Sequence, residues 1–210
     1  MTQGIFEHFV TLWVVIDPIG TIPVFVAVTA GMKAAKRSRI ALQAALIAAG
    51  VLMFFLIAGQ FLIDALGISL TAFQIAGGLI LFLFALTMIF GESKPQTEAE
   101  EFAHQPKKDS PAIFPLAVPS LASPGAMLAI VMLTDNHRFS APEQAVTAAV
   151  MLSVVAIAYL LMLLATPILR IIRVGGAAIV SRVMGMILAA VAVDNIIEAV
   201  TILIKGGLGS

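Results

Sequence analysis

Trp13-Val14-Val15-Ile16-Asp17-Pro18-Ile19-Gly20-Thr21-Ile22-Pro23-Val24-Phe25 sets one carboxylate and two prolines in the middle of an apolar run. The run extends from about Ile5 to Met32, enough to cross a hydrocarbon core of about 30 Å. Asp17 lies about a dozen residues along it, or about 18 Å deep at a rise of 1.5 Å per residue. An acid at that depth costs about 3 kcal/mol or more and marks a functional site or a dedicated structural bond. Proline removes a backbone donor and clashes with the preceding turn. Asp17-Pro18 therefore reads as an N-cap followed by proline at the first helical position, the start of a second half-helix inside the membrane.

The rest of the chain agrees with a membrane setting. Of its 210 residues, 60% are hydrophobic and 11% charged, and the mean hydropathy is +1.07. Soluble domains run nearer 45–50% apolar and about 25% charged. A soluble fold of this length has too little interior to hide such a chain. Net charge is zero and no basic stretch tracks phosphates, which argues against nucleic-acid binding. The absence of cysteine removes disulfides, iron–sulfur clusters and thiol catalysis, and His8, His104 and His137 have no zinc spacing. No cofactor or metal is expected.

Six stretches are long and apolar enough to span: about 5–32, 40–63, 70–90, 113–134, 145–168 and 183–204. They are continuous rather than alternating, so a β-barrel is excluded. The expectation is an all-α polytopic membrane protein. Lys33, Lys36, Arg37, Arg39, Lys94, Lys107, Lys108, Arg170, Arg173 and Arg182 fall in the loops after spans 1, 3 and 5. Arg138 and Lys205 alone fall on the other side. Positive residues mark the cytoplasmic side, so both termini are expected outside the cytoplasmic membrane. Gly91–Ser110 reads as a polar cytoplasmic linker, and Gly206–Ser210 as a disordered tail.

Span 4 repeats the oddity of span 1. Phe114-Pro115-Leu116-Ala117-Val118-Pro119-Ser120-Leu121-Ala122-Ser123-Pro124-Gly125-Ala126 is again a broken apolar run with a capping residue before a proline. Pro18 and Pro124 are 106 residues apart. Phe73–Leu79 and Val180–Met186 lie opposite each other at nearly the same offset, so Gly78 matches Gly185. Each half holds three spans, an odd number, so the second half enters from the opposite side. This predicts a 3+3 inverted repeat with spans 1 and 4 broken at mid-membrane, as in secondary transporters. The units are 1–91, the linker 92–111, 112–205 and the tail 206–210.

Both half-helices would start near the membrane centre, where free N–H groups and about half a positive charge attract a carboxylate. Asp17 has two compatible roles: capping its half-helix, and holding a proton, a sodium ion or an ammonium group. Asp194 and Asn195 in span 6 are also near mid-depth, and Asp194 shares a face with Glu198. The substrate or ion site is thus expected to comprise Asp17, Pro18, Gly20, Thr21, Pro23, Ser123, Pro124, Gly125, Asp194 and Asn195. Gln74 reads as a helix–helix hydrogen bond, and Gly77, Gly78 and Gly185 as close-approach positions. Asp64 and Asp135 read as solvated residues at span ends. No protease, hydrolase or nucleotide-binding motif occurs, so the chain is expected not to be an enzyme and to draw on gradients.

The two broken stretches closely resemble the first-span and fourth-span signatures of the MarC family of bacterial membrane proteins. Ser123 stands where that family usually has glycine, and Asp194-Asn195 falls where it keeps polar residues. The resemblance spans nearly the whole chain. It implies six spans, termini outside, and kinship with transporters of neutral amino acids such as glycine and alanine. The expected function is a secondary transporter of small neutral amino acids or similar metabolites, an exporter or a carrier coupled to protons or a cation, in the bacterial inner membrane. An uncoupled channel and a non-transporting scaffold or sensor are the alternatives. A bundle this thin leaves room for a homodimer, with no motif fixing an interface.

Overall fold

A computed structural model describes residues 2–65, 67, 69–90, 110–136 and 139–207. The linker at 91–109, His137, Arg138 and the tail at 208–210 lie outside the described residues. The elements are α1 (Thr2–Ile16), α2 (Thr21–Val28), α3 (Ala34–Ala65) and α4 (Leu70–Phe90), then an irregular wide-turn helical segment π1 (Ala112–Leu121). After it come α5 (Pro124–Met132), α6 (Ala141–Leu163) and α7 (Ala165–Gly207). Every described element is helical. Five stretches are long and apolar enough to cross a membrane, and a sixth is counted if π1 and α5, bent by 51° at their joint, form one span.

Local chemistry accounts for the breaks. Asp17 adopts a left-handed backbone at φ 49°, which interrupts the helical backbone between α1 and α2 within the one span Gly4–Val28. Its side chain accepts the Gly20 N–H at 3.0 Å. The second helix then begins at Thr21, with Gly20 at the N-cap position. The sequence expectation placed that start at Pro18. One turn, Pro18–Gly20, intervenes, closed by the Gly20 N–H on the Asp17 side chain. In π1, Phe114 and Val118 are extended, and each precedes a cis proline. Ser123 is extended and caps α5, accepting the Ala126 N–H at 3.0 Å, with Pro124 following.

The interrupted helices form the centre. In the apolar window of α1–α2, 72% is buried, against 33% or less in those of α3, α4, α6 and α7. Phe54, Ile57, Phe61, Leu83, Phe90 and Ile179 are exposed on the outer helices, a surface suited to lipid. The most extensive pairing joins α4 to α7. A Cβ on Gly78 would meet the Ala192 carbonyl at 3.0 Å, and one on Gly185 would meet the Ala85 carbonyl at 3.1 Å. These contacts mirror each other across the pair. α1 packs on α6 as π1 packs on α3, and α2 packs on α7 as α5 packs on α4.

Three expectations change. Arg170, Arg173 and Arg182 lie on α7, and Lys36, Arg37 and Arg39 on α3, not in loops. The stretch from Ala165 to Val180 is rich in helix-forming alanine, isoleucine, leucine and arginine. Pro167 falls in the first turn, where its missing N–H costs nothing. Gly206 and Gly207 continue that helix rather than belonging to the tail. Asp135 is 1% exposed rather than solvated, because the turn after α5 folds inward and its carbonyl accepts the Phe139 N–H at 2.8 Å.

Candidate functional site

The two breaks meet. The Ser123 hydroxyl donates to the Val15 carbonyl at the end of α1 at 2.9 Å, an acceptor that the interruption of α1 leaves without a helical N–H. The Thr21 hydroxyl lies 3.0 Å from that of Ser120 and 3.1 Å from the Asp17 carbonyl. Ser181 reaches across from α7 and donates to Asp17 Oδ2 at 3.1 Å. Asp17 is 2% exposed, and Thr21, Ser120, Ser123 and Ser181 are also buried. Each half of the chain therefore satisfies backbone or side-chain groups that the other leaves open. Irregular backbone at membrane depth is tolerated only under such cover.

The caps match in position and differ in charge. Asp17 bonds the N–H three residues on, and Ser123 does the same. The first break is thus a carboxylate beside a helix start. The second is a neutral hydroxyl that leaves the positive end of α5 uncompensated. Gly20 closes the first break, since a Cβ there would run into the Asp17 carboxylate and lie 2.7 Å from Ser181 Oγ. Gly125 is buried under Phe84 and Leu81 of α4. Pro18 and Pro23 are buried, while Pro124 is exposed.

Asp194 and Asn195 stand elsewhere. They line a crevice of about 630 Å³ with Glu7, His8, Thr11 and Glu198. It lies at the end of the bundle where α1 begins and α7 finishes. Its walls include Thr11, and six residues along α1, about 9 Å, separate Thr11 from Asp17. Gln74 donates to Glu198 at 3.0 Å, the helix–helix bond expected of it. His8 pairs with the Thr147 hydroxyl of α6 at 2.8 Å. The sequence-predicted residues therefore divide into a closed central group and an open group nearer the chain termini.

Ser120 and Ser181 were not singled out for the site from the sequence. Ser181 sits opposite Gln74 in the register of the two halves, which marks it as a polar repeat position but does not name its partner. Ser120 carried no signal beyond lying between two prolines.

Comparison with known proteins follows the same residues. The profile of the MarC family of integral membrane proteins matches residues 2–204. The UPF0056 membrane protein of Archaeoglobus fulgidus is 31% identical over 195 residues, covering 92% of this chain and 90% of its own. The UPF0056 membrane protein YhcE of Escherichia coli is 30% identical over 197 residues, covering 93% and 91%. The UPF0056 inner membrane protein MarC of Salmonella typhimurium is 30% identical over 200 residues, covering 90% of each chain. No solved structure matches. The chain belongs to the MarC family of integral membrane proteins.

Proposed function

We propose that this MarC-family protein is a secondary transporter of small zwitterionic metabolites, neutral amino acids foremost, rather than an enzyme. The observation that carries the reading is the joined pair of unlike caps. An ammonium group is matched by the Asp17 carboxylate. A carboxylate is matched by the start of α5, where Ser123 supplies a hydroxyl but no negative charge. A zwitterion placed between them takes over the Thr21–Ser120 hydroxyl contact. A neutral or singly charged solute leaves one end uncompensated.

Several features support an inverted repeat with breaks at mid-membrane. Asp17 falls at the middle of the span Gly4–Val28. The capping bonds recur at an offset of 106 residues, from Asp17–Gly20 to Ser123–Ala126. The close approaches of Gly78 to Ala192 and of Gly185 to Ala85 recur at 107. Packing partners exchange between the halves in the same sense. Two halves of opposite sense can rock about a fixed central site. The distribution of basic residues favours chain termini outside the membrane, and the Salmonella relative's name carries an inner-membrane location. On this reading a proton or cation at Asp17 couples transport to a gradient.

The test is solute counterflow in proteoliposomes. Vesicles preloaded with unlabelled glycine, alanine or serine are expected to accumulate the labelled solute. Asp17→Asn is expected to abolish pH-gradient-driven uptake while leaving insertion and monodispersity intact. No counterflow with any of the twenty amino acids would sink the amino-acid reading. Gradient-driven uptake unchanged in Asp17→Asn would remove Asp17 from coupling.

A further inference from the structure

The crevice at the terminal end of the bundle has a chemistry of its own. Its volume of about 630 Å³ lies within the range of small-molecule pockets, about 300–1,000 Å³. Two helices face each other across it. Glu7, His8 and Thr11 sit at one-turn spacings on α1, and Asp194 and Glu198 do so on α7. Three carboxylates therefore line it, and no lysine or arginine does among the described residues. Leu81, Met132, Leu133 and Phe139 supply an apolar wall.

Thr11 adds an independent sign of a ligand. It is 6% exposed and lines this cavity, yet its hydroxyl has no hydrogen-bond partner among the described residues. Several threonines in or at the ends of helices spend theirs on a carbonyl, as Thr29 does on Phe25 at 2.5 Å and Thr134 on Ile130 at 2.6 Å. The hydroxyl oxygen keeps access to water, so a group that occupies the crevice and bonds to it takes the place of a water contact. Glu7, Asp194 and Asn195 likewise make no side-chain hydrogen bond to a described residue. Glu198 and His8 are held by Gln74 and Thr147, which stiffens the two sides of the crevice.

We propose that this crevice is a second binding site, separate from the Asp17 centre, for an organic cation with an ammonium head and a short apolar body. The head takes the carboxylates of Glu7 and Asp194 and the Thr11 hydroxyl, and the body lies on the Leu81–Phe139 wall. A bare metal ion fits less well. No three described His, Asp or Glu residues converge as a metal site, and an ion makes no use of the apolar wall. The proposal stands apart from the transport reading, because it needs neither Asp17 nor the inverted repeat.

The experiment is a melting-temperature titration of the purified full chain with 2-phenylethylammonium. Sodium chloride, 2-phenylethanol and phenylacetate serve as the ionic, neutral and anionic comparisons. A ligand that binds the folded state raises its melting temperature by mass action. Only the amine is expected to give a saturable rise. Glu7→Gln with Asp194→Asn is expected to weaken it about tenfold or more, by loss of both carboxylate partners, and Thr11→Val about fivefold, by loss of one hydrogen bond. Asp17→Asn is expected to leave the amine response in place. Because the comparison of ligand charges uses the unaltered protein, it stands even if a variant misfolds. Equal responses to the alcohol, to phenylacetate or to sodium chloride would overturn the proposal, as would no response to the amine. Loss of the amine response in Asp17→Asn would transfer the binding to the central site. Glycine counterflow reports on the transport reading alone, so either idea fails without the other.

Discussion

Gly20 has no room for a methyl group. An added Cβ collides with the Asp17 carboxylate and crowds the Ser181 hydroxyl, and moving either breaks the bond between them. Gly20→Ala is expected to destabilise the protein by about 1–3 kcal/mol, as overpacking does, and thermal melting in detergent measures it. Ser123 carries two bonds, one to its own helix and one to Val15. Ser123→Ala is expected to cost about 1–2 kcal/mol, the loss of a cap plus a buried hydrogen bond. Ser123→Thr keeps both oxygen contacts, so a loss as large as alanine's would show that the hydroxyl bonds are not what matters. At this scale Asp17 and Ser123 were legible, because an acid or a capping hydroxyl before proline has few uses inside an apolar run. Their partners were not. Ser181 is 164 residues from Asp17, and a serine on an apolar helix gives no sign of which group it will face.

Helices are read from sequence where their ends are chemically marked. α4 runs from Leu70 to Phe90, the span expected from its apolar run. Those ends are set by a serine at Ser69 and by the polar stretch after Phe90. α7 was misjudged at its start because arginine was read as a sign of a loop, whereas arginine is a good helix former. A hydropathy window finds what lies in lipid, not where a helix begins. The pairing of α4 with α7 makes a sharper statement. Gly78 and Gly185 each face a backbone carbonyl of the other helix, which no side chain can move aside. Gly78→Val and Gly185→Val are each expected to lower stability by about 1–3 kcal/mol, and by similar amounts, since the contacts are equivalent. The same substitution at Gly50, where an added Cβ meets nothing within 4 Å, is the control and is expected to cost less. A large loss at Gly78 with none at Gly185 would contradict the equivalence.

For the whole molecule, orientation and internal symmetry make one claim. Three spans in each half with like order give an inverted repeat only if the halves cross the membrane in opposite senses. On the proposed reading, the distribution of lysine and arginine sets the sense: the basic stretch Lys33–Arg39 at the start of α3 inside, the termini outside. The chain has no cysteine, so single cysteines can be introduced without background. In intact cells, a membrane-impermeant maleimide is expected to label Thr2→Cys and Gly207→Cys but not Lys36→Cys, which reacts only after permeabilisation. On the six-span reading both termini share one side, and the positive-inside bias predicts which. Labelling at one terminus only would require an odd number of crossings, and the two halves would then not be inverted copies. Labelling of Lys36→Cys in intact cells, with both termini protected, would keep the repeat but reverse the protein. The crevice holding Glu7, Thr11 and Asp194 would then face the cytoplasm, and its cationic ligand would have to come from there.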